Sequence, residues 1–445
     1  MDFQVLASNL SRLSGNIFVK CPVMDFTEKK PVSLRVCAKD SEFDVIFDRE
    51  TLPRVIDFLN TTIFKPKSTV ICWNIKALYS YALFYTGRDL SFSDPQAYLL
   101  DRTPIPHEPV ILDLKIVENY NGINKRPPEN YAEAMRRLKD VYPLDFLETY
   151  KSLHLPLMKE VIPQLETAGI IYDQDKAYAH YDIEGQENGR LRCSAQFKKS
   201  YNPHTIKPDE KPNFRSPDLG GFFIYLDYQA LEVRILQWLS GDKNLGRMLE
   251  SGDPYLNIFK ELTGKSDTHS GCRKFTKNLI LPVMFGAGAR GIAKSLEIKE
   301  ETSAKLINKL NKVFGEAFSY LKSAQDEAGD GLITDYFGRK REIMAKEAYK
   351  ARNFCIQSPA ATICLYKLIN LQRALKIYDT VKIGFSVHDG YVIFCEKSDI
   401  KKVITLASEV LEAEESMFPG LKLETSCEAG IRLNNLIEIK RRVNQ

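Results

Sequence analysis

The chain is poor in the features that mark several classes of protein. Its nine cysteines are scattered without any CxxC spacing. That argues against a disulfide framework or a zinc site and for free thiols in a reducing compartment. No apolar run approaches the roughly 18 residues that span a membrane. The opening segment, MDFQVLASNL, has no basic stretch followed by an apolar core, so no secretory leader is expected. Internal repeats and low-complexity segments are lacking too. Neither sign of charge is in large excess, the net charge being only +4, so any affinity for nucleic acid must come from clustering and not from the total. The expectation is a cytoplasmic protein with no membrane association.

What is there is ordinary in bulk: 445 residues, 44% hydrophobic and 27% charged, enough for two or three domains with real cores. The informative stretch is GGFFIYLDYQALEVRILQWL, residues 220–239. Phe222 to Leu226 is short and aromatic, as a buried strand is. It runs into Asp227, and Glu232 and Arg234 follow at the start of a helical pattern. An acid at the end of a core strand is costly to bury, and a hard divalent cation, which takes oxygen ligands, would compensate it. A second such acid lies in FSVHDGYVIF, where a strand reaches His388 and Asp389, turns at Gly390 and leaves as another strand. Asp227 and Asp389 are expected to meet and hold metal.

Residues 1–145 read as a separate α/β unit. NIFVKCPVMDF and VSLRVCAK are strand-like, LPRVIDFLNTTI is helical, and KSTVICWNIKALYSYALFY leads a strand into a helix. ENYAEAMRRLKDVY and ETYKSLHLPLMKEVIPQLETAGI have helical periodicity, the second stopping at Gly169. Residues 189–219 form a long polar stretch with seven Lys or Arg before Pro217, interleaved with Phe197, Tyr201 and Phe214. A phosphate-contacting surface and a solvated loop are both open readings of it.

In CRKFTKNLILPVMFG, Arg273, Lys277 and Phe285 fall near one helical face, and Pro282 is expected to kink the helix or remove a hydrogen bond. By spacing alone, two cations on one face are more often simply solvated. LITDYFGRKREIM reads as a hairpin turning at Gly338 with a basic tip, Arg339 to Arg341. KEAYKARNFCIQSPAATICLYKLINLQRALKIY is a long helix interrupted near Pro359, with Asn353 and Gln357 able to share a face. DIKKVITLASEVLEAEESM is an amphipathic helix and LKLETSCEAGI a last strand.

These residues carry a resemblance. DYQALEVR, from Asp227 to Arg234, resembles the DYSxIExR motif of family A DNA polymerases. Arg273, Lys277, Phe285 and Gly286 are similar to their RxxxKxxxFxxxYG motif, and His388-Asp389 to their HDE motif. Asn353 and Gln357 resemble an NxxxQ pair, and Gly189-Arg190 a GR signature. All come in the family's order, over residues 150 to 440.

The resemblance implies a fold that is α/β plus α+β: an exonuclease-like α/β domain, then an antiparallel palm and helical fingers. The implied divisions are 1–145, palm at 146–242, fingers at 243–345 and palm again at 346–445. It further implies template-directed DNA synthesis. Asp227 and Asp389, helped by the Tyr228 carbonyl, would bind two Mg²⁺ ions, with Mn²⁺ as a substitute. Arg273 and Lys277 would grip the dNTP, with Lys277 also a proton donor. Phe285 would stack on the nascent base pair, and Glu232 would exclude a ribose 2′-hydroxyl. Leu281, Tyr255 and Tyr228 would line the dNTP site. Arg190, Asn353, Gln357 and His388 would contact primer-template DNA.

The sequence also departs from the family pattern. The glutamate after HD is Gly390, Leu281 stands where relatives have Phe or Tyr, Pro282 where many have Gly, and Tyr255 of GDPY where many have His. Only about 20 residues separate Gly169 from Gly189, where relatives carry a much longer thumb. A polymerase without a conventional thumb is expected, relying on a processivity or replisome partner or on the N-terminal domain. WNIKALYS is similar to the exonuclease segment HNIKFD, but Leu78 replaces the catalytic Asp, and Asp25 and Glu28 do not form a DxE pair; a nuclease-like fold without activity is expected. The rival readings are a single-subunit RNA polymerase, against which Glu232 speaks, and a catalytically inert nucleic-acid-binding relative.

Overall fold

The computed structural model describes residues 17–439, apart from 23, 26–27, 29, 39–40, 60–62, 64–68, 87–109, 124–125, 142–147, 219–220, 251 and 266–268. The segment MDFQVLASNL, and the parts of the segments read above at 16, 23, 26, 39, 60–62, 67–68, 142 and 219–220, lie outside the described residues. No helix among the described residues is long and apolar enough to cross a membrane.

The first part is a five-stranded mixed sheet: β1 (Ile17–Lys20), β2 (Val32–Ala38), β3 (Ser41–Phe47), β4 (Thr69–Trp73) and β5 (Val110–Asp113), in the order β3-β2-β1-β4-β5. β1, β4 and β5 run parallel; the β2–β3 hairpin and the helix Leu52–Phe58 lie between β1 and β4 in the chain, and the helix Lys76–Thr86 follows β4. Unbroken runs such as Val70 to Cys72, all fully buried, are what a strand covered on both faces requires. After the helix Tyr131–Val141, the chain winds through two wide π turns, Tyr150–His154 and Leu157–Val161, into the helix Ile162–Ala168. Prolines 156 and 163 break the ordinary backbone ladder here, in what the sequence pattern reads as one regular helix.

Residues 170–215 hold short strands: β6 (Ile170–Tyr172), β7 (Asp175–Ala177), β8 (His180–Asp182), β9 (Arg192–Ser194) and β10 (Phe214–Arg215). The basic stretch is thus partly built into the fold. Tyr201 and Phe214 are buried, and Tyr201 packs on Phe385 with ring centroids 6.1 Å apart. These two aromatics anchor the segment and are not available to stack on bases, because composition does not say which way a ring faces.

The second large sheet holds the informative strands. β11 (Phe222–Tyr228) leads into the helix Leu231–Ser240. Helices Lys243–Leu249, Pro254–Thr263, Ser270–Met284, Ala289–Leu296, Glu300–Val313 and Gly315–Glu327 follow, then a hairpin of β12 (Leu332–Thr334) and β13 (Lys340–Glu342). The helix Lys350–Leu375 returns the chain to β14 (Lys382–Val387) and β15 (Gly390–Cys395), and after the helix Ile400–Glu412 come β16 (Thr425–Gly430) and β17 (Ile437–Glu438). The sheet is antiparallel throughout, in the order β14-β15-β11-β16-β17. One face carries Ile224, Leu226, Tyr391, Ile393, Cys427 and Ala429, all buried. It is pinned to the helices beneath by the Tyr391 hydroxyl, donating to the Cys364 carbonyl at 2.8 Å, and the Tyr228 hydroxyl, donating to that of Leu411 at 3.1 Å.

Two expectations are corrected. The helix Lys350–Leu375 runs unbroken through Pro359. Phe354 to Ile369 is buried almost all round except at Gln357, and that packing outweighs the missing hydrogen bond. The hairpin tip is not uniformly a basic surface either, because Arg339 is fully buried. Its guanidinium pairs with Glu184 and lies 4.7 Å over the Tyr120 ring, and His154 Nε2 is 2.8 Å from the other Glu184 oxygen. Gly189 is glycine for the same reason: φ is +76°, and a Cβ there would sit 2.4 Å from the guanidinium carbon.

This cluster joins the first part of the chain to the second. Beside it, Tyr120 donates its hydroxyl to the Phe337 carbonyl and Asn119 donates to that of Glu184 at 3.0 Å. Replacing Arg339 by Met would leave Glu184 buried with only His154 as a partner; the expected loss is about 3–5 kcal/mol of unfolding free energy. Gly189→Ala should also destabilise, by forcing the guanidinium aside. Urea denaturation of the full chain checks both, and an unchanged midpoint for Arg339→Met would contradict the role given to the cluster.

Candidate active site

The strand register decides what surrounds Asp227. It lies opposite Gly390 on β15 and opposite Ser426 on β16. Asp389 immediately precedes Gly390, in the turn from β14 to β15, so the two aspartates occupy adjoining strand ends. The Tyr228 N–H donates to the Asp389 carbonyl at 3.4 Å. Burial first, and the charge of Asp389 second, push the Asp227 carboxyl up to about 7; a like charge held nearby disfavours ionisation. Backbone strain lies close to both acids. His388 has φ 55° and Ala230 φ 53°, a left-handed conformation that non-glycine residues seldom adopt.

Around this pair the other expected residues divide. Lys277 is on the exposed side of the helix Ser270–Met284, and its positive charge reaches both Asp227 and Glu232, opposing the upward push of burial on each. Glu232 accepts from Gln357 Nε2 at 3.2 Å and lies 3.6 Å from an Arg190 nitrogen. Three residues picked from motifs far apart in sequence thus form one network. Asn188, which sequence reasoning missed, completes it by donating to Gln357 Oε1 at 3.2 Å. Asn353 lies one turn before Gln357 on the same helix, half-buried. His388 packs on His204, the rings tilted by 34° with centroids 4.7 Å apart, and His204 in turn contacts the Ser386 carbonyl at 3.2 Å. Burial, and then His388, hold His204 down to about 4. His204 was hidden in the basic stretch with no motif to mark it.

Arg273 is not directed at the carboxylates. It donates to Asp253 at 2.5 Å and lies 5.3 Å over the ring of Tyr255. Tyr255 itself is 3% exposed, so its ring supports Arg273 from below. Tyr228 turns its ring into the core, so only its backbone faces the site. Leu281 and Phe285 are half-buried at the C-terminal end of the Lys277 helix, which continues through Pro282 to Met284.

Arg234 is buried and clamps the turn after Asp227. It donates to the Gln229 carbonyl at 2.9 Å and the Lys422 carbonyl at 3.3 Å, and pairs with Glu424 at 2.8 Å. Tyr225 and Glu428, opposite each other on β11 and β16, share the face of Asp227 and were also missed, since only the register reveals them.

In the first part of the chain no comparable site forms. Leu78 is fully buried, Asp25 is half-buried and Glu28 exposed. Asp113, pushed up to about 6 by burial, accepts the Ile75 N–H at 3.0 Å as a structural group. Among the described residues, no group of three or more His, Cys, Asp or Glu is placed to hold a metal ion.

The site is thus two acids on adjoining strand ends of an antiparallel sheet, faced by a cation-bearing helix. Comparison with known proteins gives the family. The model of DNA polymerase family A matches residues 198–435, and the chain belongs to that family. DNA polymerase I of Chloroflexus aurantiacus is 24% identical over 312 residues, covering 66% of this chain and 33% of that protein. The DNA polymerase of Mycobacterium phage D29 is 29% identical over 160 residues, 35% of this chain and 26% of that one. Thermostable DNA polymerase I of Thermus aquaticus is 25% identical over 219 residues, 46% and 26%. The matched part is thus a third or less of each relative's length. Among solved structures, the polymerase domain of Pol1 from M. smegmatis, in complex with DNA primer-template and dNTP, matches with TM-score 0.74 at 15% identity, covering 97% of this chain and 98% of that one. The fold is that of a family A polymerase domain.

The Arg273–Asp253 pair yields a prediction. Asp253 also caps the helix Pro254–Thr263 by accepting two backbone N–H groups, a role Asn can fill. Asp253→Asn should therefore keep the fold and release Arg273 from an exposed ion pair of under about 1 kcal/mol. If Arg273 grips the dNTP as the resemblance implies, triphosphate binding should tighten by about two- to fivefold, read by equilibrium titration with a fluorescent dNTP.

Proposed function

We propose that the chain carries out template-directed DNA synthesis, adding dNTPs to a primer 3′-hydroxyl with release of pyrophosphate. The observation that carries this reading is the placement of Asp227 and Asp389 on adjoining strand ends, within the field of Lys277. The donor set suits Mg²⁺, which characteristically takes one or two carboxylates and completes its shell with waters and substrate phosphates. Asp227, Asp389 and the Tyr228 carbonyl would hold the ions, two of them on the reaction scheme, with Mn²⁺ as a substitute. Bound there, the ions would supply Lewis-acid chemistry, acidifying the primer hydroxyl and neutralising the triphosphate.

The chain's own residues do the remainder. Lys277, and Arg273 once freed from Asp253, bind the triphosphate through charge-assisted hydrogen bonds. Lys277 also gives a proton to the departing pyrophosphate. Phe285 offers a ring to the nascent base pair, with Leu281 beside it. Glu232, held by Arg190 and Gln357, rejects a ribose 2′-hydroxyl because a half-buried, already engaged carboxylate has no room for it. Arg190, Asn353, Gln357 and His388 form the side turned to the primer-template duplex. Residues 146–242 and 346–445 act as palm and 243–345 as fingers.

Residues 1–145 act as a nuclease-like scaffold without proofreading, a reading supported by the mixed sheet and by buried Leu78. The chain works without a conventional thumb. In support, the described residues between Ala168 and Leu231 include no α-helix, only short strands and 3₁₀ turns. Duplex grip then falls to phosphate contacts and to a processivity or replisome partner. The cytoplasm, where dNTPs and primed DNA occur, is the proposed site of action. Glu232 and the intact cation pair argue against an RNA polymerase and against an inert relative.

Primer extension with dNTPs and Mg²⁺ tests the reading. Asp389→Ala should lower single-turnover incorporation by about a thousandfold or more, because metal-assisted stabilisation of several kcal/mol would be lost. Equal rates in the two proteins would refute it. Glu232→Ala should raise NTP incorporation relative to dNTP by about tenfold or more. Extension should also fall steeply between low and physiological salt if phosphate contacts supply the grip.

A further inference from the structure

Register-paired residues and their alternate neighbours share one face of a sheet. Tyr225, Asp227 and whatever side chain stands at position 390 therefore point the same way. Position 390 has none, and its backbone does not demand glycine: Gly390 lies in a regular strand and is not among the positive-φ residues. The reason is steric. A Cβ on Gly390 would lie 2.6 Å from both Cε2 and the hydroxyl oxygen of Tyr225, and 2.9 Å from its Cζ. The Tyr225 ring lies across the strand and fills the space that a side chain at 390 would enter. Its hydroxyl donates to Asp227 Oδ1 at 3.3 Å.

We infer that Tyr225 is a positioning residue for the metal-holding carboxylate of Asp227, and that Tyr225 and Gly390 form a matched pair replacing the acid of the HDE pattern with a neutral hydrogen-bond donor. The inference rests on the polymerase reading of the Asp227–Asp389 site. A phenol in that place changes what the site does. It adds no charge beside two carboxylates that already repel one another. It occupies one lone pair of Asp227 and restricts the rotation of that carboxylate, leaving the second oxygen to the cation. Hydrogen bonds from outside the ligand set orient ligands in this way, and their loss typically lowers metal affinity about 10–100-fold. Glu428, opposite Tyr225 on β16, leaves one further acid on this face, so a fourth carboxylate at 390 would crowd a surface already negative.

The test uses the full chain and Mn²⁺ alone as the probe, followed by electron paramagnetic resonance, with thermal melting as the control for folding. Tyr225→Phe keeps the ring and removes the hydrogen bond. It should weaken Mn²⁺ binding about three- to tenfold with an unchanged melting temperature, and raise the Mg²⁺ requirement of extension more than it alters the rate at saturating metal. Gly390→Glu alone should lower the melting temperature, because its Cβ meets the ring. Adding Tyr225→Ala to Gly390→Glu should restore melting and bring Mn²⁺ affinity back to within about threefold of wild type, a coupling that independent sites would not show.

Wild-type Mn²⁺ affinity in Tyr225→Phe would overturn the assignment, as would a Gly390→Glu defect that ignores residue 225. The polymerase reading fails separately: it falls if Mn²⁺ binding survives Asp389→Ala, whatever Tyr225→Phe does.

Discussion

Two carboxylates that repel one another are held at the open end of one sheet, and much of the surrounding structure keeps them there. Nothing in an antiparallel ladder favours acids on adjoining strand ends in a partly desolvated place. The arrangement persists because the strands beneath are over-determined. The tyrosines at positions 228 and 391 sit on the buried face and bond to carbonyls of two different helices. Arg234 reaches three partners and fixes the turn after Asp227 to the segment before β16. The left-handed backbone at Ala230 and His388 is the local expense of aiming both acids outward, and it is sustained by that packing.

A second set of buried charges does a different job. Glu184, Arg339 and His154 are almost completely excluded from water, and such a group is weak evidence for added stability but strong evidence for a fixed arrangement. It lies where the first sheet's helices, the meander of residues 170–215 and the β12–β13 hairpin come together. Gly189 packs on it directly, one residue before Arg190. The position of Arg190, and through it Glu232, is thereby tied to a contact made partly by the N-terminal part of the chain. That part is more than an appendage to the site, even though its own acids are not brought together.

The sequence made the second sheet legible because its strands are short aromatic or branched runs ending on acids, and because the motif spacings lie within single elements. The approach of Asp227 and Asp389 and the helical face carrying Lys277 could be anticipated, whereas the contact between Glu232 and Gln357 could not. What could not be read was direction. Arg339 looks like a basic hairpin tip and is the best-buried cation of the hairpin. Tyr201 and Phe214 look like stacking platforms and are core. Asn188, His204, Tyr225 and Glu428 matter through register or through contacts distant in sequence, and no local spacing encodes those. Pro359 was read as a break because local propensity says so, whereas a helix buried all round is held by its neighbours.

The charges near the site also have an order of engagement. Arg273 is occupied by Asp253 and Arg190 leans on Glu232. Lys277, by contrast, is exposed and has no ion-pair partner within reach among the described residues, while its field extends over both Asp227 and Glu232. An incoming polyanion would therefore meet Lys277 first, as a cation already biased toward the carboxylates. It could recruit Arg273 only by competing with Asp253, an acid fixed at a helix N-terminus and unable to follow. Exchange of a carboxylate for a phosphate at Arg273 conserves charge-assisted hydrogen bonding and changes only its partner. On the proposed reaction, that exchange makes the grip of Arg273 on the triphosphate conditional on breaking its pair with Asp253. The ion pair seen here is then the resting counterpart of the substrate contact.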